Sequence, residues 1–141
     1  MIPRYYLDST VILAAAGGES PDKASAQQVL QAMAQSRINL VVSSEAIVEC
    51  LHACAWSQAR AGGLALIEHL LVLAPHPVAL TAAMLRDARH LLEQQPRLGI
   101  RAGLHAACAR ATGCTDILSY DEDFGLVAGL RRLTPAMLPS A

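Results

Sequence analysis

A chain of 141 residues with a formal net charge of −1 has the size of one ordinary core, and that charge argues against a strongly basic nucleic-acid binder. Its 53% hydrophobic but only 4% aromatic content, rich in Ala and Leu, favours helices packed on a small sheet over an all-β fold. Mean hydropathy is +0.33, yet Arg4 and Asp8 break the N-terminal apolar stretch and no run approaches the ~18 residues of a spanning helix; a soluble, cytoplasmic chain without a cleaved signal or membrane contact is expected.

In chain order, residues 5–7 read as a first strand and 10–16 as a short helix stopped by Gly17-Gly18. Ser20-Pro21 opens a second helix, whose Ala26, Val29, Leu30 and Met33 follow the helical period. Residues 40–42 form a second strand, Ser43-Ser44 supplies a cap, and a helix runs over 45–61 until Gly62-Gly63. Residues 64–71 read as helix, 72–74 as a short strand, and 81–94 as a helix offering Leu85, Leu91 and Leu92 to the core. A helix over 101–112 ends at Gly113, followed by strands over 117–119 and 130–133. Strands separated by helices require crossover connections and hence a parallel sheet. No internal repeat, low-complexity tract or long linker appears, so residues 1–141 are expected to form a single domain.

Four cysteines raise disulfide and zinc readings. Cys50 and Cys54 stand one helical turn apart and Cys108 and Cys114 straddle a helix end, neither with the close spacing of a zinc site, so buried apolar thiols are expected. The chemistry sits with the acids. Asp8 follows the first strand and Asp121, Glu122 and Asp123 follow the strand at 117–119. Strand exits in a layered α/β domain share one crevice, where carboxylates converge and call for a divalent cation. Asp8 also has a local explanation as a helix cap, although Ser9 or Thr10 caps equally well. Glu45 and Glu49 lie one turn apart after the second strand, with His52 and Trp56 continuing that stripe and Ile47, Val48, Leu51 and Cys54 expected to face the core. The helix dipole accounts for Glu45, whereas Glu49 sits further in among apolar neighbours. Asp116 precedes its strand and falls at the opposite sheet edge. His105, on the Leu104-Ala106-Ala107 face, is read as packing and bonding locally rather than acting as a base.

The ordered set Leu7-Asp8-Ser9-Thr10, Val42-Ser43-Ser44 through Glu49, Leu104-His105-Ala106-Ala107, Ile117 through Phe124, and the closing Leu130 through Pro135 spans nearly the whole chain. It resembles the PIN-domain nucleases, and among them the VapC-type toxins of bacterial toxin–antitoxin pairs. The resemblance implies a three-layer α/β/α fold with a central parallel sheet of four to five strands flanked by helices. It also implies a Mg²⁺- or Mn²⁺-dependent ribonuclease that leaves 5′-phosphates. It assigns catalysis to Asp8, Glu49 and Asp121, with Asp123 supporting the metal, and leaves Ser9 and Arg101 as candidate substrate contacts. It further implies an RNA substrate, a neutralising antitoxin protein and a homodimer, for which Ala- and Leu-rich segments such as 64–73 are compatible. One departure stands out. The family usually carries Asp three residues before the His of the Leu-His-Ala-Ala segment; here that position is Ala102, and no Asp or Glu occurs from Gln94 through Thr115. Reduced or absent cleavage is therefore expected. Arg101, next to the vacant position, either reaches substrate phosphate or solvates the helix start.

Competing readings fail on single residues. A phosphoaspartyl phosphatase needs a second Asp where Thr10 stands, a receiver domain needs a lysine after a late strand where the sole lysine is Lys23, and no glycine-rich phosphate loop appears. A catalytically inactive PIN-like module binding RNA or protein remains the alternative.

Overall fold

The computed structural model describes residues 1–55 and 57–139. Its four strands, β1 (Arg4–Leu7), β2 (Asn39–Val41), β3 (Asp116–Leu118) and β4 (Arg131–Leu133), pair in the order β2-β1-β3-β4. Every pairing is parallel. Among the described residues six helices accompany them: α1 (Ser9–Ala16), α2 (Lys23–Ala34), α3 (Ser44–Ala55), α4 (Arg60–Leu73), α5 (Ala82–Gln94) and α6 (Ile100–Ala111). Short 3₁₀ turns at Glu122–Leu126 and Pro135–Met137 flank β4. Among the described residues no helix is long and apolar enough to cross a membrane.

The two faces of the sheet separate two apolar clusters because successive strand side chains point to opposite sides. Tyr5 and Leu7 of β1 pack with Val11, Val29, Leu30, Ile47 and Leu70 of α1 to α4. Tyr6, between them, packs with Met84, Leu91, Ala106 and Phe124 on the α5–α6 side. Ile117 and Leu118 of β3 divide in the same way. The parallel sheet is the one expected from the alternation of strands and helices, and the three layers are those that the family resemblance implied, at the lower strand number.

Helix ends follow local chemistry. Thr81 caps α5 by accepting from the Met84 amide, and Ser43 Oγ accepts from the Ala46 amide at the start of α3. Gly113, at φ +74°, closes α6 in the left-handed conformation that glycine adopts freely.

Three expectations are corrected. The helix foreseen over 45–61 is two helices, and Gly62-Gly63 lies inside α4 rather than ending a helix. Gly63 is needed for close approach: a Cβ there would stand 2.2 Å from Cys54 Sγ on α3. The strand foreseen at 72–74 is the end and C-cap of α4; the strand-like contact occurs further on, as a parallel bridge between Ser43 and Val78. Val48 and Leu51 are exposed rather than core-facing because the buried line of α3 runs through Ala46, Ile47, Cys50 and Cys54, and Leu85 is exposed because that of α5 runs through Met84, Ala88 and Leu91. All four cysteines are buried free thiols, as expected. Burial, reinforced by Cys54, Glu49 and Asp8, pushes the Cys50 thiol up to about 12, so it stays neutral and unreactive.

Candidate metal and active site

β1 and β3 are neighbours at the centre of the sheet, and the Asp8 amide extends their pairing by donating to the Leu118 carbonyl at 3.0 Å. Asp8 thus leaves the sheet beside the Ser119–Asp121 turn. It occupies the N-cap position of α1 without capping it through its side chain, and its wholly buried carboxylate turns into the crevice. Asp8 Oδ2 accepts from Ser119 Oγ at 2.6 Å and from Thr10 Oγ1 at 2.8 Å. Asp8 Oδ1 accepts from Arg101 Nη1 at 2.6 Å, and the second arm of the guanidinium reaches Oδ2 at 3.2 Å.

Arg101 is the hub of the site. Its Nη2 also donates to Asp121 Oδ2 at 2.7 Å, and its Nη1 lies 3.5 Å from Glu49 Oε2. Three carboxylates from three separate elements therefore share one planar cation. Burial alone would raise the Asp8 carboxyl, but the Arg101 hydrogen bond, the His105 charge and the Ser119 hydroxyl more than offset it and hold it below the ordinary Asp value. Arg101 responds reciprocally: burial would lower it, and its bonds to Asp8 and Asp121 raise it.

One turn further along α6, His105 is completely buried. Its Nε2 meets Glu49 Oε1 in a short contact and lies 3.7 Å from Asp8 Oδ1. Its Nδ1 stands 2.7 Å from the Tyr6 hydroxyl, which donates onward to Ser43 Oγ at 2.8 Å. Asp8, Glu49 and His105 can each turn a ligand atom inward with all of these atoms within 4.8 Å of one another. This donor set fits a divalent cation: two carboxylates and an imidazole converge, and their need for positive charge is met here by Arg101.

The other foreseen residues divide between the site and its frame. Asp121 joins through Arg101, whereas Asp123 Oδ2 accepts from the Gly99 amide at 3.1 Å and ties the acidic turn to the start of α6. The Asp123 amide in turn donates to Asp121 Oδ1 at 3.0 Å. Ser9 is buried with its hydroxyl 3.4 Å from Arg101 Nη1. Ala102 is buried in the apolar cluster with Tyr6 and Leu98. Glu45 sits in the first turn of α3, Asp116 pairs with Arg131 at the far edge of the sheet, and Trp56 lies outside the described residues.

Two features escaped the sequence reading. Arg101 neutralises the acids from within the chain, and His105 bonds across to Glu49 and Tyr6 rather than locally. The signal for both was their four-residue spacing, which sets Arg101 and His105 on one face of α6.

A parallel α/β sheet with acids from β1, α3 and the β3 exit gathered at one edge defines a class of α/β proteins with a carboxylate-lined crevice. Residues 5–130 match the model of the PIN domain, and the chain belongs to the PIN-domain family. It is 30% identical over 120 residues to Ribonuclease VapC23 of two Mycobacterium tuberculosis strains, covering 83% of this chain and 92% of that protein. Among solved structures, VapBC2 from Rickettsia felis bound to a promoter DNA fragment superposes with a TM-score of 0.72 at 17% identity, covering 93% of this chain and 98% of that one. VapC20 of Mycobacterium tuberculosis, a Sarcin-Ricin loop cleaving toxin, gives 0.69 at 13% identity over 86% and 92%. FitAcB from Neisseria gonorrhoeae gives 0.71 at 16% over 95% and 99%. At these identities the structural likenesses speak for the fold alone.

Proposed function

We propose that this protein is a metal-dependent endoribonuclease toxin of a toxin–antitoxin pair, cytoplasmic and homodimeric, whose cleavage is impaired by Ala102. The observation that carries the reading is the convergence of Asp8, Glu49 and Asp121 on the single guanidinium of Arg101, at the sheet edge where this family keeps its acids. Membership in the PIN-domain family and the ribonuclease name of the 30%-identical relative support the activity. The VapBC complexes among its structural neighbours support an antitoxin partner.

Asp8, Glu49 and Asp121 are the catalytic carboxylates and, with Asp123 in support, would hold Mg²⁺ or Mn²⁺. A divalent ion there supplies an activated water and a Lewis acid for the scissile phosphodiester. Ser119 and Thr10 fix the Asp8 carboxylate through Oδ2. Arg101, if a bound cation took over the Asp8 carboxylate, would be free to pair with substrate phosphate, and the adjacent Ser9 hydroxyl would contact the same group. Water attacks phosphorus, the P–O3′ bond breaks and the 3′-oxygen leaves with a proton, so the 2′-hydroxyl is uninvolved and the ends are 5′-phosphate and 3′-hydroxyl. Ala102 removes an acid from this set, so charge stabilisation falls short.

Total RNA incubated with the purified chain and Mn²⁺ tests this. Expected are weak cleavage with 5′-phosphate ends, loss of cleavage in Asp8→Asn, and a gain of about tenfold or more in Ala102→Asp, in line with the effect of a single charge-stabilising group. A folded Ala102→Asp protein that binds RNA but cleaves no faster in Mn²⁺ would overturn the assignment of that position. RNA binding without metal response in either protein would favour the inactive module.

A further inference from the structure

We propose that His105 is a metal ligand, completing with Asp8 and Glu49 a mixed nitrogen–oxygen site that takes a first-row transition ion such as Mn²⁺ in preference to Mg²⁺. This deepens the metal-dependent reading and rests on it. α6 offers no carboxylate to the crevice, since Ala102 stands at the position from which one would come and no acid occurs elsewhere on the helix. Besides the Arg101 guanidinium, α6 directs into the crevice the imidazole one turn later, with Nε2 facing both Glu49 Oε1 and Asp8 Oδ1.

The imidazole is already oriented for ligation. The Tyr6 hydroxyl donates to Ser43 Oγ and therefore accepts from Nδ1–H, which directs Nε2 at the carboxylates; the hydrogen that Nε2 donates to Glu49 Oε1 in the metal-free protein would leave as a proton on ligation. Ser43 is itself fixed by the Ala46 amide at the cap of α3. Tyr6 is buried, and its hydroxyl is held in neutral form chiefly by that burial. An outer hydrogen bond of this kind is the usual support of a ligating histidine. Imidazole is a softer donor than carboxylate. Exchanging an acid for a histidine therefore shifts preference from Mg²⁺ toward first-row transition ions. Arg101 Nη1 donates to Asp8 Oδ1 at 2.6 Å, so an ion held by that oxygen would compete with the guanidinium.

Pulsed EPR of Mn²⁺ bound to the full chain reads the ligand directly, because a coordinated imidazole nitrogen modulates the signal and ¹⁵N-histidine labelling alters that modulation without any substitution. His52, His69, His76 and His90 are exposed, so Asp8→Asn serves as the control for binding elsewhere. Expected are one Mn²⁺ per chain, a nitrogen modulation that changes on ¹⁵N labelling, and loss of both in Asp8→Asn. Calorimetric titration of His105→Gln is expected to show Mn²⁺ affinity falling by roughly tenfold or more, with Mg²⁺ affinity changing less. Mn²⁺ bound in an Asp8-dependent way without nitrogen modulation would overturn the role of His105 and leave the metal-dependent reading standing. A modulation persisting in Asp8→Asn would assign the nitrogen to an exposed histidine and overturn the proposal. Absence of Asp8-dependent Mn²⁺ binding would overturn both readings, and because the labelled wild-type chain gives the answer, a poorly folded His105→Gln leaves the test intact.

Discussion

Arg101 decides how three acids coexist without a metal. Like charges at this spacing repel, and burying Asp8 without a partner would cost several kcal/mol. The guanidinium removes both penalties through its fork, with contacts of 2.6 and 2.7 Å to Asp8 and Asp121. Arg101→Ala should destabilise the metal-free chain by about 2 kcal/mol, less than for a fully buried pair because Arg101 is about a third exposed and partly solvated. It should also enlarge the rise in melting temperature produced by Mn²⁺, since the ion no longer competes with a resident cation. Thermal melts with and without Mn²⁺ check both, and equal Mn²⁺ shifts in the two proteins would remove Arg101 from the competition. The acids were legible in the sequence because each follows a short apolar strand or lies within the helix behind one. Their counter-ion was not, because Arg101 lies 93 positions from Asp8 and only the folded sheet edge brings them together. Tyr6 and Ser119 stayed hidden for the same reason: their roles consist of hydrogen bonds to residues remote in sequence.

Helix starts and stops were legible where local chemistry sets them and obscure where packing does. Thr81, Ser43 and Gly113 mark helix ends that side-chain capping and left-handed glycine explain without tertiary context. Gly62-Gly63 carries the same local signal, but Gly63 is glycine because α3 and α4 touch there. The core-facing line of α3 was misassigned for a related reason. With 100° per residue, Val48 lies about 200° from Cys50, so burying Cys50 turns Val48 to solvent. Gly63→Ala should force Cys54 or the helix axis to move and destabilise the chain by about 1–3 kcal/mol in urea unfolding. Cys54→Ala in the same background removes the 2.2 Å clash with Sγ and should recover part of that loss. Additive effects in the double-mutant cycle would show that the two residues do not press on each other.

At the scale of the molecule, strand order builds the site. Alternating strands and helices imply a parallel sheet, but only the order β2-β1-β3-β4 sets the exits of β1 and β3 side by side, with α3 and α6 supplying Glu49 and His105 from the two flanking layers. Site and fold are thereby coupled through the ionisation of Asp8, which bonds to β3's exit and to α6 at once. Its folded carboxyl titrates below its unfolded value, since burial is more than offset by Arg101, His105 and Ser119. Above about pH 4, the unfolded Asp value, the carboxylate is ionised in both states and its full stabilising contribution is present. As pH falls through the lower folded value the folded carboxylate is protonated and that contribution is lost. The metal-free wild type should therefore hold its margin over Asp8→Asn from neutrality down to about pH 4 and lose it progressively below. Urea midpoints of the two proteins measured across pH 2.5–7 test this at fixed ionic strength. A margin that stays constant through the acid limb would mean that Asp8 ionisation does not tie the β1 exit to β3 and α6, whereas a margin that closes there identifies the carboxylate that joins the sheet edge to both helical layers.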